Sequence, residues 1–327
     1  MRAGQLWSLN VLVLGVLLLA CSVRPAPNPS SPAADATPTP SVSQTEVRSA
    51  PRPGLSIPFA RPMPATARPP VAADARLQTL RQAIAQALEE RDGEYGVLVE
   101  YVPTGQQVVH DADLAFEAAS VYKLAVAYEV LRQVDAGQFS LDERLTVADE
   151  DTVEPEPRGG LGADDEVSVS EALEAMMGVS SNSAAHALMR LVGREQLNHS
   201  MDQLGLHQTR VPPAAESDES AMTSPADMAR LLDLLANGLV LSADSRQRLR
   251  ELLALTEELD PLVACVPEGT QVLSKVGNQE RSSSVAGLVE TPRGPIIISV
   301  LDANVDPGDA RAIIAAIAGA AFQLFTE

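Results

Sequence analysis

The chain has 327 residues, of which 45% are hydrophobic and only 3% aromatic, and a formal net charge of -20. That length allows one or two domains with a substantial core. The acidity excludes nucleic acid as a partner, because the sequence holds no basic patch able to displace counterions from phosphates.

Residues 1–21 read as an export signal: Arg2, an apolar run over residues 11–20, then Cys21. The run is short for a membrane span, and Leu18-Leu19-Ala20-Cys21 resembles the bacterial lipobox, which implies lipidation of Cys21 after cleavage; an uncleaved anchor is the alternative. With lipid on Cys21 the only other cysteine is Cys265, so no disulfide is expected and Cys265 reads as a small core residue. Residues 22–75 hold 13 of the 24 prolines among alanines, serines and threonines, a composition that stays extended as a tether. A plain spacer and a wall-binding segment both fit it. The first 75 residues carry a net charge of +3, so the acidity belongs to the folded part.

That part is residues 76–327. RLQTLRQAIAQALEERD over residues 76–92 sets Leu77, Leu80, Ile84, Ala87 and Leu88 on one face, predicting an amphipathic helix. GVLVEYV at 96–102, the turn signal Pro103-Thr104-Gly105 and QQVVHD predict a hairpin. Helical patterns then dominate: EAASVYKLAVAYEVL at 117–131, SEALEAMMGV from Ser170, SAAHALMRLVG from Ser183, and SPADMARLLDLLANG with Ser224 as N-cap and Pro225 in the first turn. Strands return at 272–277, 283–290 and 295–301, before a closing helix over 307–324. Early and late strands can share one antiparallel sheet if the helical middle is an insertion.

Ser120 and Lys123 stand three apart, so one helical turn sets a hydroxyl beside an amine over the stripe of Leu124, Tyr128 and Leu131. An amine with a lowered pKa can take the proton of a serine, and a helix start at Ser120 favours developing negative charge. Sixty residues later Ser180-Ser181-Asn182 lies between two helical patterns, and Lys275-Val276-Gly277 follows at the end of a strand. Singly these are also a cap, a turn residue and a solvated lysine. Jointly, in order and spacing, they resemble the penicillin-recognising serine enzymes, and class A β-lactamases in particular.

The resemblance covers roughly residues 76–327 and implies an α+β sandwich. In it, a five-stranded antiparallel sheet is flanked by helices and carries an inserted all-helical part at about 118–264. It implies Ser120 as acylated nucleophile, Lys123 as its base or relay, and Ser180 as proton donor to the leaving nitrogen. Asn182 would hold the substrate amide, Lys275 its carboxylate, and Gly277 would keep the strand edge open. Ser120 and Asn278 would give the oxyanion hole from their backbone NH groups. No metal or cofactor is implied; the partner would be a small β-lactam or peptidoglycan peptide, and the protein a monomer on a lipid anchor outside the bacterial cytoplasm.

Several positions depart from that pattern. Ser181 replaces an aspartate, Val276 replaces a threonine, and His186 replaces an asparagine that anchors a loop. After Thr209-Arg210 the chain lacks the Glu-x-x-Leu-Asn element whose glutamate activates the deacylating water, and the loop is several residues shorter. Glu216 is the nearest candidate base, followed by Asp218 and Glu219, with a solvated acidic loop as the plain alternative. Acylation is therefore legible in outline and turnover is not. Three functions fit: a β-lactam-opening hydrolase, a peptidoglycan peptidase or esterase, and a non-catalytic envelope binding protein.

Overall fold

The computed structural model describes residues 75–89, 91–214, 217, 219–256 and 259–326. The export signal, Cys21 and the tether lie outside them, as do Glu216 and Asp218. In chain order, α1 (Ala75–Leu88) precedes the hairpin β1 (Glu94–Tyr101) and β2 (Gln106–His110). The short β3 (Phe116–Glu117) and a 3₁₀ turn, Ala119–Tyr122, lead into α2 (Lys123–Asp135). Next come β4 (Arg144–Thr146), β5 (Glu166–Ser168), α3 (Val169–Gly178), α4 (Asn182–Val192), α5 (Arg194–Leu204), β6 (Met222–Thr223), α6 (Pro225–Ala236) and α7 (Ala243–Leu253). The chain closes with β7 (Val272–Gln279), β8 (Ser282–Val289), β9 (Ile296–Ala303) and α8 (Pro307–Thr326).

Five strands form one antiparallel sheet in the order β2-β1-β9-β8-β7, so the hairpin that opens the domain pairs with the last strand rather than with the next. The two-residue period of the strands sorts their side chains between two cores. Val97, Val99, Ile296, Ile298, Val300, Val285 and Val276 face α1 and α8, where Leu77, Leu80, Ile84, Ile314 and Ile317 cover them. Leu98, Leu273, Ala286, Leu288 and Ile297 face the helical insertion. Burial of both faces explains why β9 reads as a nearly continuous apolar run.

The inserted part differs from the all-helical expectation. Two small antiparallel pairs, β4 with β5 and β3 with β6, stitch its loops together. Helices α5 and α7 also lie within it, on sequences rich in Arg, Gln and Glu that bury few residues each. Helix α2 is its axis: Leu124, Val126, Ala127, Val130 and Leu131 have no exposure, and Glu129 is buried between Arg132 and Gln133, from which it accepts hydrogen bonds of 2.7–2.8 Å. Ser224 caps α6 by accepting from Asp227 N at 3.1 Å, with Pro225 next, as its sequence predicts. Cys265 is half-buried rather than a core residue; its thiol donates to Pro261 O at 3.2 Å, and burial pushes its pKa up to about 11.

At one end of the sheet the β8–β9 ladder is completed by side chains. Ser283 N donates to both carboxylate oxygens of Asp302 (3.2 and 3.3 Å), and Asp302 N donates to Ser284 Oγ (3.2 Å). Burial pushes the Asp302 pKa up to about 6, against about 4 in an unfolded chain. The folded state thus binds this proton more tightly than the unfolded state, so the contribution is full below pH ~4 and is lost as pH rises through about 6. Urea titrations across this window should show wild type losing stability relative to Asp302→Asn; parallel pH profiles would refute the assignment.

Candidate active site

The site lies where the 3₁₀ turn before α2 meets the loop between α3 and α4 and the edge strand β7. Ala119 has φ +43° and Ser180 φ +62°, both left-handed conformations unusual for residues with a Cβ. Each precedes or carries one of the two hydroxyls that meet. Ser120 does not open an α-helix directly as its spacing suggests; it sits in the 3₁₀ turn, and α2 begins at Lys123.

Ser180 Oγ donates to Ser120 Oγ at 2.8 Å. Lys123 Nζ donates to Ser180 Oγ at 3.1 Å, to Ser180 O at 2.5 Å and to Asn182 Oδ1 at 2.8 Å. Lys123 itself has no exposure. A continuous chain therefore runs from Ser120 Oγ through Ser180 Oγ to Lys123 Nζ. Rotation of the two hydroxyls would let a proton pass along it toward a neutral amine.

Strand β7 closes the other side. A Cβ on Gly277 would stand 2.9 Å from Ala119 Cβ and 3.0 Å from Ser120 N, so only glycine lets the strand approach the Ser120 turn this closely. Lys275, two residues earlier, shares that face of the strand, and it too has no exposure. Its Nζ donates to Val276 O at 3.0 Å. Val276 points the opposite way, into the core under α1 and α8, so this position contributes packing and no hydroxyl. Asn278 is exposed one residue past Gly277, and its Oδ1 accepts from Ser283 Oγ at 2.9 Å.

Two signals were missed in the motifs. The chain contains 24 basic residues, but only Lys123 and Lys275 are lysines, so both side-chain amines of the protein lie in this site. The other is Glu156, whose carboxylate accepts from Ser181 Oγ, from Asn182 N at 3.2 Å, and from Ser183 N and Oγ at 3.3 and 3.2 Å. Nothing in the local pattern of EPEPRGG marks it.

The loop after Thr209-Arg210 is closed at its neck. Arg210 and Met222 exchange two backbone hydrogen bonds of 2.9 Å, Ala118 N donates to Ala221 O at 2.7 Å, and Thr209 Oγ1 is held by Thr223 and Asp227. Its far end is thereby tied to the segment that carries Ser120. Glu219 is exposed. His186 lies one helical turn beyond Asn182; its Nδ1 is buried and has no hydrogen-bond partner among the described residues. Burial and the nearby Arg194 cation hold its pKa below the usual imidazole value, favouring the neutral ring. Among the described residues no cluster of His, Cys, Asp and Glu could hold a metal ion.

Residues 79–325 match the family described as the β-lactamase enzyme family. The chain belongs to that family. Among solved structures it is 31% identical to a variant class A β-lactamase of the last common ancestor of Gram-negative bacteria. That alignment covers 75% of this chain and 98% of the other, at a TM-score of 0.68. A β-lactamase from Xanthomonas campestris pv. campestris is 25% identical, over 76% of this chain and 98% of that one, at a TM-score of 0.69. A variant of PBP-A in an acyl-enzyme complex with penicillin G shares the fold at 23% identity, over 77% and 96% of the two chains, with a TM-score of 0.69. The family fold and the sheet order agree with the resemblance read from the three motifs.

Because Gly277 contacts backbone at Ser120, Gly277→Ala should separate strand from turn by a few tenths of an ångström. A crystal structure of the variant should show that separation, with at most a few degrees' change in melting temperature; an unmoved turn would mean that the close approach is not set by the glycine.

Proposed function

We propose that this member of the β-lactamase family opens β-lactams by acylation of Ser120. The observation that carries the reading is the unbroken chain of hydrogen bonds from Ser120 Oγ through Ser180 Oγ to the buried amine of Lys123. With Lys123 neutral, the Ser120 proton passes to it by way of Ser180 as Oγ attacks the carbonyl carbon. The C–N bond then breaks, and the same path returns the proton to the departing nitrogen. Backbone NH groups of Ser120 and Asn278 would face the developing oxyanion, where one donor is worth ~3 kcal/mol. Asn182 would share its amide between Lys123 and the substrate side chain, and Lys275 would put positive charge toward a substrate carboxylate. In this reading the chain is exported, lipidated on Cys21 and held at the bacterial membrane by the proline-rich tether.

Release of the acyl group needs an activated water, and the loop between Arg210 and Met222 lacks the usual element for it. Glu216 is the carboxylate this reading nominates. The short loop and the buried Val276 also support a second substrate class, a peptidoglycan peptide or ester attacked by the same nucleophile.

Intact-mass measurement after incubation with penicillin tests the reading. Wild type should gain the mass of the intact drug, Ser120→Ala should not, and Lys123→Ala should slow the gain at least 100-fold. An adduct that survives Ser120→Ala would sink the proposal. Glu216→Gln should leave acylation unchanged and lengthen the adduct's lifetime at least tenfold; an unchanged lifetime would remove Glu216 from the mechanism.

A further inference from the structure

Ser120, Ser180 and Lys123 meet only if the loop between α3 and α4 holds an unfavourable shape. Ser180 is in the left-handed region, which is strained for a residue with a Cβ and persists only where the surroundings enforce it. Its carbonyl and hydroxyl, together with Asn182 Oδ1, are the acceptors around the Lys123 amine. What pins the next three residues is Glu156. Four donors converge on its carboxylate: Ser181 Oγ, Asn182 N, Ser183 N and Ser183 Oγ. They belong to the N-terminal turn of α4, where free N–H groups and the helix dipole favour an anion. The contact is built rather than casual. Gly160 packs so tightly on Glu156 that a Cβ there would stand 2.6 Å from Glu156 Cγ, and Leu161 N donates to Ser181 Oγ at 3.3 Å.

We infer that Glu156 is a positioning residue for acylation. It brings from a distant loop the carboxylate that the second serine motif lacks at Ser181, and through residues 181–183 it sets the acceptors that hold Lys123. It touches neither Ser120 nor Lys123 in the hydrogen bonds described, so its effect on chemistry is transmitted. This rests on the acylation reading for its consequence and on geometry alone for its existence.

The two lysines allow the two to be tested apart. Lysine labelled with ¹³C at Cε gives two side-chain resonances in the full chain, solubilised in mild detergent, one from Lys123 and one from Lys275. In Glu156→Ala the Lys123 resonance should move or broaden while that of Lys275 stays in place. Acylation by penicillin should slow ~100-fold, with the pre-covalent binding constant changed less than threefold. Ser181→Asp added to Glu156→Ala returns a carboxylate to the same helix end, since aspartate is a strong N-cap, and should recover both readouts. Glu171→Ala removes a comparable capping box from α3 and should lower the melting temperature without moving Lys123. If Glu156→Ala does not fold, Glu156→Gln, which keeps the shape and loses the charge, carries the same comparison with a smaller displacement. An unmoved Lys123 resonance in either folded variant, or no recovery with Ser181→Asp, overturns the inference. The resonances are read without substrate, so a wild type inert to penicillin counts against the proposed function while Lys123 still decides the role of Glu156.

Discussion

The burial of one amine organises this molecule. Lys123 sits without exposure near the start of α2, inside the helical layer, where a charge without partners would cost several kcal/mol. Its acceptors come from the turn before α4, fifty-seven to fifty-nine residues on. Satisfying that amine therefore locks α2 and α4 into one relative placement and brings Ser180 onto Ser120 as a by-product. Packing alone tolerates small slides between helices; a buried amine hydrogen-bonded to Ser180 and Asn182 does not.

The sheet supplies the complementary wall. Alternation along β7 sends Val276 to one core while Lys275 and Gly277 face the insertion. Because Gly277 has no side chain, this face of β7 lies against the backbone of Ser120. The two parts of the site thus come from chain segments about 150 residues apart, joined by a sheet whose first and last strands pair.

Elements with strong periodicity were legible in the sequence, and so was the meeting of Ser120 and Lys123 with Ser180 and Asn182. The amphipathic face of α1, the capped start of α6 and the strands β7 to β9 follow from apolar spacing and turn chemistry that tertiary contacts only reinforce. Helices α5 and α7 were not legible, since their sequences are mostly charged and amide residues with few apolar positions to set a period. The small strand pairs β3 with β6 and β4 with β5 are two or three residues long and exist because loops meet in space. Ser120 was foreseen beside its helix but not in a 3₁₀ turn behind a left-handed alanine, which apolar spacing does not encode. Glu156 was invisible for a related reason: its partners are some 25 residues away, and no local pattern encodes a carboxylate aimed at another helix's first turn.

The distribution of basic residues has one more consequence. Of the chain's 24 lysines and arginines all but two are arginines, and the two ε-amino groups, Lys123 and Lys275, have no exposure. A protease that cuts after lysine finds two scissile bonds in 327 residues, both closed while the domain is intact. Its rate of cutting then counts excursions of the cleft-bearing core into an open state and ignores fraying elsewhere.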